Sequence, residues 1–379
     1  MRFVLFYHSF ASCWNHGNAH FLRGIARELI GAGHHVTVYE PADGWSRANA
    51  LRDGGEAALR EAETLVPGVQ IRTYDPTTID IAAATENADV VLVHEWNEPA
   101  LVAALGRARA AGARFLLLFH DTHHRAASAP GEIERFDLDG YDAVLAFGEV
   151  LRQTYIARGW GRRAYTWHEA ADTALFGPLP DVQPDTDLVW IGNWGDGERA
   201  DELQHFLIEP VARLDLRARL HGVRYPQHAR DALTRAGIGY AGWLPNHQAP
   251  QAFARARVTV HVPRRPYVEA LPGIPTIRVF EALACGIPLV SAPWRDAEAL
   301  FPRGSYLTAR NADEMSDALS LVLRDREFAA ELARTGLQAI RARHTCAHRV
   351  AELFDIVAAL RGPAQTAPIA PPSILSVAS

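Results

Sequence analysis

The chain has 379 residues, 48% of them hydrophobic and 22% charged, with a net charge of −6. That length is too great for one ordinary core and suits two domains of roughly 150 to 200 residues facing a cleft. The acid excess argues against nucleic acid as a partner, and Cys13, Cys285 and Cys346 are too few and too scattered for a disulfide framework or a zinc site, which points to a reducing cytoplasm.

The start, "MRFVLFYHSF", turns polar too soon for a signal peptide, and no run approaches the roughly 20 apolar residues that span a bilayer. Peripheral membrane contact stays open. Short apolar runs then recur: "RFVLFYH" (2–8), "HHVTVYE" (34–40), "ADVVLVH" (88–94), "RFLLLFH" (114–120) and "YDAVLAF" (141–147). Continuous apolar strands separated by helical patterns predict a parallel sheet covered on both faces. Between the first two, Phe21, Leu22, Ile25, Leu29 and Ile30 fall at helical spacing and Gly33 stops the helix, which is a β-α-β unit.

Two loops of this first half carry candidate polar groups. In "NHGNAHF" (15–21), Gly17 permits close approach, and His16, Asn18 and His20 are within reach of an acceptor hydroxyl. In "FHDTHHR" (119–125), His120 and Asp121 follow a strand and are expected at the cleft edge. His120, Asp121, His123 and His124 cluster as metal ligands do, but without an H-E-x-x-H pattern. "FDLDG" (136–140) contains D-x-D, yet its place before a strand argues against a metal role, and no metal is expected.

The segment "GPLPDVQPDTD" (177–187) gathers three prolines and three aspartates and reads as a linker. A second series follows: "LVWIGNW" (188–194), "ARLHGV" (218–223), "IGYAGWL" (238–244), "VTVHVP" (258–263), "PLVSAP" (288–293) and "SYLTA" (305–309). The fold expected is therefore α/β, with two doubly wound Rossmann-like domains at 1–177 and 188–345 and ligand at the strand carboxyl ends. Helices are expected over 312–323 and 326–361, broken near "HTCAHR"; the part at 346–362 crosses back to the first domain. The Pro-, Ala- and Ser-rich tail at 363–379 is expected to be disordered.

The richest stretch is "GIPTIRVFEALACGIPLVS" (273–291). Gly273 and Pro275 open a helix whose first amides, at about Thr276 and Ile277, form a phosphate seat at the positive end of the dipole. Glu281 shares a side with Ile277 and Arg278. It either takes the hydroxyls of a ribose or pairs with Arg278 at i, i+3 and does nothing else; spacing alone leaves both open. Trp194 and Trp243 follow strands, where an aromatic side chain stacks on a base or simply packs.

This stretch resembles the signature of the retaining glycosyltransferases of family 4, which have the GT-B fold, and Arg278-Val279-Phe280-Glu281 is similar to the CgeB-like spore-maturation branch. "LVWIGNW…ER" resembles the family's phosphate-binding strand and loop, "YAGWLP" its strand beneath the nucleobase, and "HEAADTALFGP" its crossing between domains. The resemblance implies a sugar donor carried by UDP, dTDP or GDP and no other cofactor. The candidate donor-side residues, from the resemblance and the strand-end reading together, are Asn193, Arg199, Trp243, Arg264, Gly273, Thr276, Ile277, Arg278 and Glu281. Glu281 grips the ribose, His120 sits against the transferred sugar beside Asp121, and Gly17 and Asn18 face the acceptor. His16 loosely resembles the base of inverting GT-B enzymes, whereas the family likeness favours retention.

Two departures stand out. Gly273 replaces the family's usual glutamate, with Glu269 the nearest substitute. Asn193 stands where many relatives have one of two cations under the diphosphate, so Arg264 or Arg265 of "HVPRRPY" is expected to supply it, unless they are a solvated basic pair. A sugar-nucleotide epimerase and a non-catalytic nucleotide-sugar-binding protein are the alternatives to transfer. The acceptor, whether glycan, lipid or small molecule, and the oligomeric state are undecided.

Overall fold

The computed structural model describes residues 1–14, 17–195 and 197–362. His16 and the tail at 363–379 therefore lie outside the described residues. The apolar runs of the first half become parallel strands: β1 (Arg2–Phe6), β2 (His35–Pro41), β3 (Gln70–Tyr74), β4 (Val90–His94), β5 (Leu116–Asp121), β6 (Ala143–Ala146) and β7 (Ala164–Thr166). They form one sheet in the order β3-β2-β1-β4-β5-β6-β7. β4 and β5 are buried along their whole length, as strands covered on both faces must be.

The second half repeats the plan with β8 (Thr186–Ile191), β9 (Ala218–His221), β10 (Ile238–Tyr240), β11 (Ala256–His261), β12 (Leu289–Ser291) and β13 (Leu307–Thr308), in the order β10-β9-β8-β11-β12-β13. Each sheet reverses its winding once, between β1 and β4 and between β8 and β11. Chain connections leave in opposite directions there, so the loops diverge and open a crevice.

Two edge strands, β3 and β7, went unpredicted. β3 is polar and mostly exposed and β7 is three half-buried residues, so neither carries an apolar run. The strand expected over 238–244 stops at Tyr240, and residues 241–245 form a loop.

Five helices position the site or close the fold. Helix α1 (Ala19–Gly31) buries Phe21, Leu22, Ile25 and Leu29. Helix α2 (Trp45–Thr64) is kinked at Gly55, whose φ of 64° suits glycine. Helix α3 (Ile277–Cys285) starts after Thr276, later than Gly273, and ends on Gly286 in the left-handed conformation. Helices α4 (Arg326–Arg343) and α5 (Cys346–Arg361) are separated at His344 and Thr345, where the Thr345 hydroxyl accepts from the His348 amide and caps α5.

Helix α5 lies on the first domain: the Trp167 indole donates to the Arg349 carbonyl (2.8 Å), and Phe354 packs on Phe3 and His34. Among the described residues, four histidine–glutamate pairs also span the domains: His20–Glu281 (2.8 Å), His124–Glu198 (3.5 Å), His168–Glu298 (2.8 Å) and His247–Glu61 (3.0 Å).

Candidate active site

A cavity of about 460 Å³ opens between the two sheets. Its lining segments follow the carboxyl ends of strands in both domains: Gly17 and Asn18 after β1, Trp45 after β2, Trp96 after β4, and Asn193, Arg224, Trp243 and Arg264 after strands of the second sheet. Gly17 touches the opposite wall, since a Cβ there would lie 2.8 Å from Ile277 Cγ2.

The second-domain wall is cationic. Arg199 Nη2 donates to the carbonyl and Oδ1 of Asn193, both at 2.8 Å, and its Nη1 donates to the Val262 carbonyl at 3.0 Å. Arg264 donates to the same Asn193 Oδ1 (3.2 Å) and to Glu198 (2.8 Å). Burial, then the charges of Arg264 and Arg278, lower the Arg199 pKa to about 10, which leaves it charged at neutral pH. Thr276, Ile277 and Arg278 line the same cavity at the N-terminus of α3, where first-turn amides lack helical acceptors. Three guanidinium groups thus line the same cavity as the N-terminus of α3, which concentrates positive charge on this wall. Arg265 turns away to Glu202 (2.7 Å) and Asp201 (3.3 Å), so Arg264 is the member of the pair that faces the cleft.

Glu198 links this wall to the first domain. Its hydrogen bond from His124, assisted by Arg264, lowers its pKa from 4.5 to about 2. A carboxylate with a depressed folded pKa stabilises the fold above its ordinary pKa and loses that contribution as pH falls through the folded value. Glu198→Gln is therefore expected to flatten the acid limb of stability between about pH 4.5 and pH 2, read by chemical denaturation across that window.

Glu281 is fully buried and does not line the cavity. Its Oε1 accepts from Asn246 Nδ2 (2.9 Å) and lies 2.8 Å from His20 Nδ1, while Arg278 pairs with its Oε2. Burial alone raises a carboxylate pKa, but Arg278 and His20, with Asn246, hold Glu281 below its ordinary value. Of the two sequence readings, the i, i+3 pair with Arg278 is present, and the carboxylate lies on α3 behind Thr276, Ile277 and Arg278, which line the cavity. His20 turns to Glu281 rather than towards the cavity.

The remaining candidates are spread out. Gly273, at a φ of 98°, does not line the cavity, and a Cβ on it would lie 2.7 Å from Glu298 Cγ. Glu298 there accepts from the Glu149 amide (2.9 Å) and pairs with His168, whereas Glu269 is exposed. His120 is sealed beneath Trp167, Phe21 and His94 rather than at the cleft edge, and burial drops its pKa to about 3, so it is neutral. Asp121 is also sealed, accepting from the Tyr155 hydroxyl (2.8 Å) and the His123 amide (3.0 Å); burial and Glu95 push its pKa well up. Asn18 and Trp243 do line the cavity. Trp194 packs on Tyr225 and His228.

Sequence reasoning missed Trp45, Trp96, Arg224, Asn246 and Tyr267, all of which line the cavity. Trp96 and Arg224 each follow a strand carboxyl end, so the strand-end rule applied to every loop would have found them. It also missed Glu169, a buried carboxyl with an unpartnered Oε1, whose pKa is raised well above normal by burial and then by Glu281 and Glu95.

Comparison with known proteins agrees with this fold. Residues 16–167 match the family described as glycosyl transferase 4-like domain, and residues 199–355 the family described as glycosyl transferase-like. No curated protein matches the chain. Among solved structures, sucrose-phosphate synthase from Thermosynechococcus elongatus is 14% identical with a TM-score of 0.64, over 94% of this chain and 98% of that one. Anabaena HepE in complex with UDP and glucose is 15% identical with a TM-score of 0.63, over 94% and 99%. The T4 phage enzyme BGT in complex with its UDP-glucose substrate is 11% identical with a TM-score of 0.59, again over 94% and 99%. The fold is GT-B. With a glycosyltransferase domain in each half, the chain is an enzyme of the glycosyltransferase class.

Proposed function

We propose that this glycosyltransferase moves a sugar from a nucleoside-diphosphate donor to an acceptor hydroxyl, with retention of configuration and without a metal. The observation that carries the reading is the cluster of Arg199, Arg264 and Arg278 at the N-terminus of α3, inside the interdomain cleft. These charges stabilise a diphosphate as it departs, the work done elsewhere by a cation clamp. The bond between the anomeric carbon and the diphosphate breaks with its electron pair staying on the nucleoside diphosphate. The acceptor oxygen bonds to that carbon, and its proton passes to the departing phosphate. UDP is the favoured carrier, since HepE and BGT are described with UDP or UDP-glucose. Arg278-Val279-Phe280-Glu281 supports the CgeB-like branch. Three buried free cysteines fit a reducing cytoplasm, and among the described residues no helix is long and apolar enough to cross a membrane.

The test is thermal unfolding with UDP, dTDP, GDP and ADP, followed by nucleoside diphosphate release from the matching sugar donors. Arg264→Ala is expected to weaken nucleotide affinity about tenfold or more, since charge-assisted hydrogen bonds contribute about 1.5–3 kcal/mol. Arg265→Ala is expected to leave it unchanged. Failure of all four nucleotides to raise the melting temperature refutes the donor assignment.

A further inference from the structure

The two walls of the cleft differ in chemistry. Among the described lining residues, Arg199, Arg224, Arg264 and Arg278 all belong to the second domain, and the first domain contributes no Lys, Arg, Asp or Glu. It contributes Trp45 and Trp96 instead, and its polar lining side chains are Asn18, Thr122 and His123. Trp45 is 44% exposed, and of the large apolar side chains left exposed among the described residues it alone lines the cavity.

Both indoles are held in place. Trp45 packs edge to face on Trp14 (5.7 Å between ring centres), whose own indole donates to Asp53 (2.6 Å). The Arg125 guanidinium sits 3.9 Å over Trp96, and His123 packs against it at 5.1 Å. Arg125 is tied to buried Glu95 (2.6 Å), so its charge is neutralised behind the ring. Asn18 stands at the start of α1, yet its side chain does not cap the helix.

We propose that the acceptor is an uncharged carbohydrate whose ring lies on Trp45 and Trp96, with Asn18 taking its hydroxyls. The proposal rests on the glycosyltransferase reading above. A pyranose has an apolar C–H face, attracted by the negative face of an indole, and an equator of hydroxyls that needs neutral polar partners. A phosphorylated acceptor calls for Lys or Arg on its own wall, and among the described residues neither lines this one, where His123 is instead packed on Trp96 and His124. A long-chain lipid needs an apolar channel, whereas the cavity of about 460 Å³ is shared with the donor and edged by polar groups.

The experiment first identifies the stabilising nucleotide, then offers its sugar donors with three acceptor sets: neutral mono- and oligosaccharides, sugar phosphates, and short polyprenyl phosphates. Product is read by mass spectrometry. The expected result is transfer to neutral sugars, with Trp45→Ala raising the acceptor KM at least tenfold, Trp45→Phe restoring most of it, and the donor KM unchanged in both. Trp96→Phe, which keeps an aromatic face, is expected to raise the acceptor KM less than Trp45→Ala does. Transfer to phosphorylated or lipid acceptors alone, or an acceptor KM unmoved by Trp45→Ala, overturns the proposal and leaves the glycosyltransferase reading standing. Absence of any nucleotide shift removes both.

Discussion

Replacing Glu281 with alanine is expected to lower stability by about 3 kcal/mol and to abolish stabilisation by nucleotide, which in the wild type reaches about 2.7 kcal/mol at 100 times the dissociation constant. The first effect follows from the network: with the carboxylate gone, the His20 ring and the Asn246 amide lose an acceptor at a fully buried position, and Arg278 loses its counter-charge. The second follows only if Glu281 meets the ribose. Its Oε1 meets both His20, which comes from the other domain, and Asn246, so separating the domains frees one acceptor position on that oxygen while Asn246 and Arg278 keep the carboxylate in place. Urea denaturation and thermal shift of wild type, Glu281→Ala and His20→Asn distinguish the roles. A ribose grip predicts that His20→Asn loses stability yet keeps its nucleotide shift, whereas Glu281→Ala loses both. If Glu281→Ala keeps the full shift, the carboxylate is a structural strut.

Gly273→Glu, which restores the residue usual in family 4, is expected to destabilise rather than to complete the site. A side chain at a φ of 98° costs about 1–3 kcal/mol in backbone strain. The added Cβ must also displace Glu298, and with it the bonds to the Glu149 amide and His168 that tie the domains. The separation of these terms is measurable. In a Glu298→Ala background the space is open, so Gly273→Ala should cost less there than in the wild type, with a coupling of about 0.5–3 kcal/mol in a double-mutant cycle. Equal costs in both backgrounds would show that Glu298 is not the obstacle.

The architecture was legible in the sequence wherever burial imposes a pattern. Strands covered on both faces read as apolar runs, and the helix from Ile277 to Cys285 declared itself by its buried face and its glycine stop. The polar β3 and the three-residue β7 carried no such signature, because an edge strand is specified by its neighbour's hydrogen bonds and not by its own hydrophobicity. Local spacing also brought Arg278 to Glu281, since residues three apart on a helix are neighbours.

Contacts between distant segments were decided by the tertiary structure. His20 and Asn246, far from Glu281 in the chain, complete its network; Arg264 faces the cleft while adjacent Arg265 pairs away from it; Glu298 fills the space beside Gly273. His120 was placed correctly at a strand end, but whether a strand end opens to the cleft or lies beneath packed aromatics depends on what the following loops lay over it. Sequence by itself determined two doubly wound domains and the helix that presents its N-terminus to the cleft, because both follow from periodicity and backbone geometry within short segments. Only the tertiary structure decided which side chains share the cleft, because that depends on how loops from two separate sheets are brought face to face.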